Sequence, residues 1–229
     1  MGSCCQSNRT MIGEQFIREI LKDKSLLIRN YTYMELLNEV VSKRVEQEIP
    51  KAHVKQFLLP VFFDANKTES NDIYINSIFE YIINHLEEKN NMYVVLLYFY
   101  PFIKHDQEKT AENFFNFIRF ITHSHREISK ENVRKWLFHY LSFCTWGITS
   151  SIKSKLATND DMNSSFNSLL KGPYSEDNLY KFLDTLCQAL CEDPNANVYT
   201  LDMFKDMFKK YDISSVENIR DYLLTESIF

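Results

Sequence analysis

Glycine and proline are scarce in this 229-residue sequence, which has four glycines and five prolines. All-β folds place turn residues about every 8 to 12 positions, so the scarcity disfavours sandwiches, barrels and propellers. The glycines stand far apart, at Gly2, Gly13, Gly147 and Gly172. They form no glycine-rich loop of the kind that cradles a phosphate.

Positive charge and long apolar runs are also lacking. The net charge is -5 and the isoelectric point about 5.7, which removes the electrostatic basis for non-specific binding of nucleic acid. The longest apolar stretch, Met92 to Ile103, has twelve residues, whereas an α-helix needs about 20 to cross a bilayer. We therefore expect no nucleic-acid partner, and we expect residues 92–103 to form a buried helix.

Familiar catalytic motifs are missing as well. The sequence has neither the G-x-S-x-G nucleophile elbow nor the H-E-x-x-H zinc motif. Cys144 lies in an apolar stretch that favours a protonated, inert thiol, and Cys187 and Cys191 have the spacing of core residues on one helix face. These three scattered cysteines make no disulfide framework, which agrees with a reducing compartment. We expect no enzyme and assign no catalytic residue.

Apolar residues recur at helical spacing along almost the whole chain, and strand-like alternation is nearly absent. The segments Thr32 to Glu35 and Ser214 to Glu217 each match the capping box that begins a helix. Further helix starts are predicted at Pro50, Asp72, Thr110, Ser129, Ser175 and Thr200. The sequence therefore predicts an all-α protein, a bundle of about ten to twelve helices.

Composition divides the chain into three parts. Thr, Ser, Asn and Asp displace large apolar residues between about Thr145 and Ser168, and the Gly172-Pro173 pair adds a helix break. We predict an N-terminal segment at 1–10, a helical domain at 11–152 and a smaller helical module at 166–229.

The first five residues, Met1-Gly2-Ser3-Cys4-Cys5, match a signal for lipid attachment. Removal of Met1 exposes the Gly2 amine for myristoylation, and Cys4 and Cys5 offer thiols for palmitate. A second acyl chain is physically needed, because at about 0.8 kcal/mol per buried methylene a single myristoyl chain holds only marginally. The sixth residue departs from the usual pattern, since Gln6 stands where Ser or Thr is expected. The alternative is that Met-Gly-Ser is a remnant of cloning.

The residues that follow are not those of a secretory leader. Ser7 to Thr10 is polar, and Met11 to Leu21 is amphipathic instead of continuously apolar. We therefore expect a peripheral, lipid-anchored protein at the cytoplasmic face of a membrane, with acyl groups at Gly2 and at Cys4 or Cys5.

A calcium-loop pattern lies between two predicted helices near the C-terminus. Asp193, Asn195 and Asn197 reproduce the D-x-N-x-N head that places three side-chain oxygens around one ion. The sixth residue is Val198 where a glycine is needed for the turn, and the twelfth is Phe204 where a bidentate glutamate is needed. The segment resembles an EF-hand whose calcium loop is degenerate.

Two other joints resemble EF-hands in part. The joint that begins at Asp64 is too long before its apolar residue, Ile73. In another, with Ile128 as the apolar eighth residue, the places that need oxygens hold Ile121, His123 and His125. The resemblance covers about half of the chain. It implies EF-hand-like helix pairs without a metal, or with at most a weak calcium site at the D-x-N-x-N head.

These patterns predict a non-catalytic adaptor or scaffold without a cofactor. Acyl groups would hold it at a membrane surface, and a groove between EF-hand-like helix pairs would bind a partner protein. Two alternatives stay open. One is a weak calcium sensor of the EF-hand type, and the other is a structural subunit of a large assembly in which Cys4 and Cys5 are buried in protein.

Overall fold

The computed structural model describes residues 2–23, 26–42, 48–64, 72–106, 108–156, 160–191 and 196–226, and gives their side chains except at 2–8, 40–42, 48 and 89. Helices make up 76 % of the structure, so the prediction of an all-α fold is confirmed. Twelve α-helical segments fall in these ranges: α1 Gly2–Leu21, α2 Tyr33–Ser42, α3 Lys51–Phe62, α4 Asp72–His85, α5 Met92–Phe99, α6 Thr110–Ile121, α7 Lys130–Ser142, α8 Ile148–Lys153, α9 Asp160–Lys171, α10 Glu176–Leu190, α11 Leu201–Lys210 and α12 Val216–Glu226.

Helices α7 and α8 are joined without a break by a π-helical turn, Phe143–Gly147, so the described chain has eleven continuous helices. Short 3-10 turns lie at Leu27–Asn30 and Tyr100–Phe102. The predicted helix starts agree with the structure to within one residue. No helix in the part of the chain that the structure describes is both long enough and apolar enough to span a bilayer.

The capping box at Thr32 forms as predicted. The backbone N–H of Thr32 donates to Glu35 Oε2 at 2.7 Å, and the N–H of Glu35 donates to Thr32 Oγ1 at 3.3 Å. The second predicted box, at Ser214 to Glu217, is wrong by one residue. There Ser215 Oγ accepts the N–H of Asn218 at 3.2 Å, while the Glu217 carboxylate pairs with Arg29.

The described part of the chain contains four helix-loop-helix units, α2–α3, α4–α5, α6–α7 and α10–α11. They form two pairs, and in each pair a short antiparallel β-ladder joins the two loops. Strand β1, Glu48–Pro50, precedes α3 and pairs with β2, Lys89–Asn91, which precedes α5. Strand β3, Ile128–Ser129, precedes α7 and pairs with β4, Val198–Tyr199, which lies before α11. In the second pair of units, α6–α7 and α10–α11, helix α6 packs on α11 and α7 packs on α10. Both helices of each unit therefore contact the other unit.

One hydrophobic core runs through the described structure. Aromatic rings fill much of it, and rings around Tyr100 and Tyr140 lie within about 5 to 6.5 Å of one another in edge and tilted geometries. Helices from both predicted domains, 11–152 and 166–229, contribute to this core. The division into two domains stays a prediction.

Candidate functional site

Helix α1 carries the residues predicted to be acylated. Its backbone places Gly2, Cys4 and Cys5 in the first turns of a helix that continues to Leu21. The side chains of these three residues lie outside the described part, so their lipidation stays a prediction. The rest of α1 shows how the N-terminus is attached to the body of the protein.

Close backbone packing holds α1 against α9. A Cβ atom placed on Gly13 would lie 2.9 Å from Leu169 Cδ1 and 3.3 Å from the carbonyl carbon of Ser165. The absent side chain lets the two helices approach more closely than most residues permit. The Phe16 ring meets Phe166 of α9 at 6.2 Å and Tyr74 of α4 at 5.4 Å, in edge-to-face geometry.

A buried ion pair joins α1 to α12. Arg220, whose side chain is fully inaccessible, donates from Nη2 to Glu14 Oε2 at 2.7 Å and from Nε to both Glu14 oxygens at 3.1 Å. The Tyr174 hydroxyl donates to Glu14 Oε2 at 2.7 Å, and its ring lies 4.5 Å from the Arg220 guanidinium carbon. Charge pairing, hydrogen bonding and cation-π contact together compensate the loss of water around both ions.

The π-helical turn and the first turn of α8 supply the remaining acceptors for Arg220. Its Nη1 donates to the carbonyl oxygens of Cys144 at 3.1 Å and Thr145 at 3.3 Å, and to Thr149 Oγ1 at 3.2 Å. The π-turn interrupts the regular i to i−4 bonding of an α-helix, and such turns often occur at functional sites. Here it points two backbone carbonyls at a buried cation, which connects α7 and α8 to the same cluster.

The electrostatics of the cluster favour the ionised pair. Burial by itself raises the pKa of Glu14, but attraction to Arg220 and the hydrogen bonds from Arg220 and Tyr174 outweigh it, so the pKa lies below the usual value. Burial also raises the pKa of Tyr174 well above that of a free tyrosine. The hydroxyl of Tyr174 therefore stays protonated and acts as a donor to the Glu14 carboxylate.

Sequence reasoning missed Glu14 and Arg220, although the pattern contains a signal for both. Glu14 lies on the same helix face as Ile17 and Leu21, and Arg220 follows Ile219 on the buried face of α12. A charged residue on an apolar helix face indicates a buried partner. The two residues are 206 positions apart, so periodicity does not identify which charge meets which.

Hydrogen bonds between side chains and backbone groups hold the shape of two of the paired loops. In the loop before α5, the Asn90 side-chain oxygen accepts a hydrogen bond from the N–H of Glu87 at 2.8 Å. The Asn90 side-chain nitrogen donates to the carbonyl oxygen of Glu87 at 2.6 Å. In the loop before α7, Arg119 Nη1 donates to the carbonyl oxygen of His125 at 3.1 Å. These bonds fix the loop backbones with groups that belong to the chain.

Of the three predicted calcium ligands, Asp193 and Asn195 lie outside the described residues. Asn197 is exposed, and its carbonyl oxygen accepts the N–H of Lys130 at 2.8 Å, so it links the loops before α7 and α11. Phe204 is fully buried and packs on Phe115 at a ring distance of 5.2 Å. Within the described ranges, His, Cys, Asp and Glu side chains form no group of three or more that suits a metal ion.

A shallow groove lies between α10, α12 and the segment that follows α11. It encloses about 340 Å³. Its floor is aromatic, since the rings of Phe182 and Tyr222 stack at 4.2 Å and Tyr211 meets Tyr222 at 5.5 Å. Its edge carries three exposed carboxylates, of Asp212, Asp221 and Glu226, and the exposed amine of Lys210, and Asp221 is paired with Arg18 of α1.

The cysteines outside the N-terminal segment take up core positions. Cys144 is fully buried, and burial raises the pKa of its thiol strongly. Cys187 is also buried, with its pKa raised for the same reason, and Cys191 is half-buried. A thiol with a raised pKa carries little thiolate near neutral pH and is a poor nucleophile.

In comparisons with known proteins, no family model matches the chain and no curated protein matches it.

Proposed function

We propose that this protein is a lipid-anchored, non-catalytic adaptor at the cytoplasmic face of a membrane, built from EF-hand-like helix pairs that need no calcium. The observation that carries the proposal is the position of Gly2, Cys4 and Cys5 at the start of a helix that is fastened to the protein body. Two acyl chains there would give stable membrane residence without a basic patch.

The attachment of α1 supports a role for the anchor beyond tethering. The Glu14–Arg220 pair and the contact of Gly13 with α9 fix α1 to the core. An acyl chain on Gly2 would then be coupled to a rigid helix and not to a flexible tail. A rigid connection restricts the orientations that the protein body can take on the bilayer.

The register of the ladder supports a metal-free scaffold. Tyr199 pairs with Ile128 in the ladder. When Ile128 is counted as the eighth residue of its loop, Tyr199, which lies opposite, becomes the eighth residue of the paired loop. This count puts Asp193, Asn195 and Asn197 at the second, fourth and sixth places, whereas EF-hand side-chain ligands stand at the first, third and fifth. The bonds of Asn90 and Arg119 hold the other loops without an ion.

The acidic, aromatic groove between α10 and α12 is the surface we assign to the partner protein. Aromatic rings beside the exposed carboxylates of Asp212 and Glu226 suit a Lys or Arg side chain, through cation-π contact and charge attraction. The partner segment is therefore expected to be basic and amphipathic.

The test of the anchor is the intact mass of the protein purified from its own cells. We expect one myristoyl and at least one palmitoyl addition and recovery in the membrane fraction. A Gly2→Ala variant should lose both lipids and become soluble, because palmitoylation requires prior membrane contact. Cys191→Ser serves as a matched cysteine control and should remain membrane-bound. An unmodified terminus, or normal localisation of Gly2→Ala, would refute the anchor and favour the structural-subunit alternative.

Calcium titration tests the metal-free scaffold. We expect no heat of binding above dilution when calcium is raised into the millimolar range, because Val198 and Phe204 replace the glycine and the glutamate that the loop starting at Asp193 needs. The parent and an Asp193→Ala variant should give the same calorimetric trace. A binding heat in the parent that disappears in Asp193→Ala would establish the calcium-sensor alternative.

A further inference from the structure

Two helices in contact, α1 and α4, each expose large apolar side chains. Met11 and Ile12 of α1 are 66 % and 54 % exposed, and Ile73 in the first turn of α4 is 54 % exposed. They are three of the eight large apolar side chains that are exposed in the described part of the chain. The Phe16–Tyr74 contact joins the two helices one turn from Ile12 and one residue from Ile73.

Among the described side chains of α1, the exposed residues are apolar at Met11 and Ile12 and polar further along the helix. Near its N-terminal end, Arg9 is exposed and donates to Ser164 Oγ at 3.2 Å, and Met11 and Ile12 follow it. One turn further on, Gln15 and Glu19 are exposed and hydrogen-bond to each other at 3.4 Å. Met11 and Ile12 therefore lie in the middle of α1, between the polar residues Ser7 to Thr10 and the Gln15–Glu19 pair.

The continuous helix keeps Met11 and Ile12 close to a membrane surface that holds its first residues. Gly2 and Ile12 are ten residues apart in one continuous helix, which corresponds to about 15 Å. Helices that lie in an interface bury their apolar face about 5 to 10 Å into the boundary between headgroups and acyl chains. A protein held at Gly2, Cys4 or Cys5 can therefore bring Met11 and Ile12 to that depth.

We propose that Met11, Ile12 and Ile73 form a lipid-facing surface that inserts into the headgroup region of the bilayer. The proposal rests on the proposed function, since it takes the anchor at the start of α1 to bring this surface to the membrane. Arg9 is then placed at headgroup level, where its guanidinium can meet a phosphate. The net charge of -5 favours neutral phosphatidylcholine over anionic lipid.

The first experiment measures partition of the myristoylated full chain onto phosphatidylcholine vesicles by sedimentation. Met11→Asp and Ile12→Asp should each lower the partition coefficient about tenfold, because a carboxylate would enter the interface. The matched control is Met34→Asp, since Met34 is 56 % exposed but lies on α2, where the neighbouring Tyr33 packs on Phe117 of α6. It should leave partition unchanged. Equal partition of the parent and all three variants would overturn the proposal.

The second experiment separates this surface from acylation itself. A full chain without acyl groups is tethered to nickel-chelating lipid by an N-terminal hexahistidine tag, and bromine is placed in the acyl chains of the vesicle. Met11→Trp fluorescence should be quenched, above the signal of Trp136 and Trp146, whereas Met34→Trp should not. Absence of Met11→Trp quenching would overturn the lipid-facing surface, even where native mass establishes acylation. Quenching with an unmodified native terminus would retain the surface and reject only the anchor.

Discussion

Replacement of Glu14 by glutamine is expected to lower the free energy of unfolding by about 3 to 5 kcal/mol, the cost of breaking a buried ion pair. The neutral amide would leave the Arg220 charge without a counter-ion at a site that water does not reach. Urea denaturation followed by circular dichroism measures the change. The matched control is Glu19→Gln on the exposed face of the same helix, which should change stability by no more than about 0.5 kcal/mol.

A double variant shows whether the cost comes from the unpaired charge. Glu14→Leu with Arg220→Met removes both charges and keeps side chains of similar length, so it should be much more stable than either single variant. If the double variant loses as much free energy of unfolding as the two single variants lose together, Glu14 and Arg220 are not directly coupled.

The same pair predicts the response to acid. The pKa of Glu14 is lower in the folded protein than in the unfolded chain. The ionised Glu14 therefore contributes fully to folding stability when the pH is above the pKa of an unfolded glutamate, about 4.3. The contribution is lost as the pH falls from there through the folded pKa. The stability difference between the parent and Glu14→Gln should therefore shrink in that range. A difference that is constant from pH 7 to pH 3 would show that Glu14 does not titrate as described.

Truncation of Phe204 to Ala is expected to cost about 3 to 5 kcal/mol of folding stability, as for other buried phenylalanines. Phe204 joins α11 to α6 through the rings of Phe114 and Phe115, so its removal leaves a cavity between two packed helices. Thermal or urea unfolding measures the loss. Phe120→Ala is the matched control, because Phe120 is partly exposed, and it should cost less than half as much.

Phe204→Glu separates packing from metal chemistry at the same position. This change supplies the glutamate that an EF-hand has at its twelfth place, when Asp193 is counted as the first. The new carboxylate enters a site without access to solvent, beside the rings of Phe114 and Phe115, so the variant should unfold and gain no calcium affinity. A folded Phe204→Glu protein that binds calcium would contradict both the packing and the metal-free scaffold.

The sequence by itself determined the helices. Apolar periodicity, the capping residues Thr32 and Ser129, and the break at Gly172 are local signals, because a helix is built from contacts between residues three and four apart. Even the failure at Ser214 was small, since Ser215 could cap the same helix one residue later. The N-terminal acylation pattern is likewise read from adjacent residues, although its chemistry is still to be measured.

Only the tertiary structure decided which distant groups meet. It set Glu14 against Arg220, aligned Ile128 with Tyr199, and packed α1 against α4 through Phe16 and Tyr74. These contacts depend on how the helices pack as three-dimensional bodies. A local pattern of residues marks a buried charge or an apolar face, but it does not contain the identity of the partner.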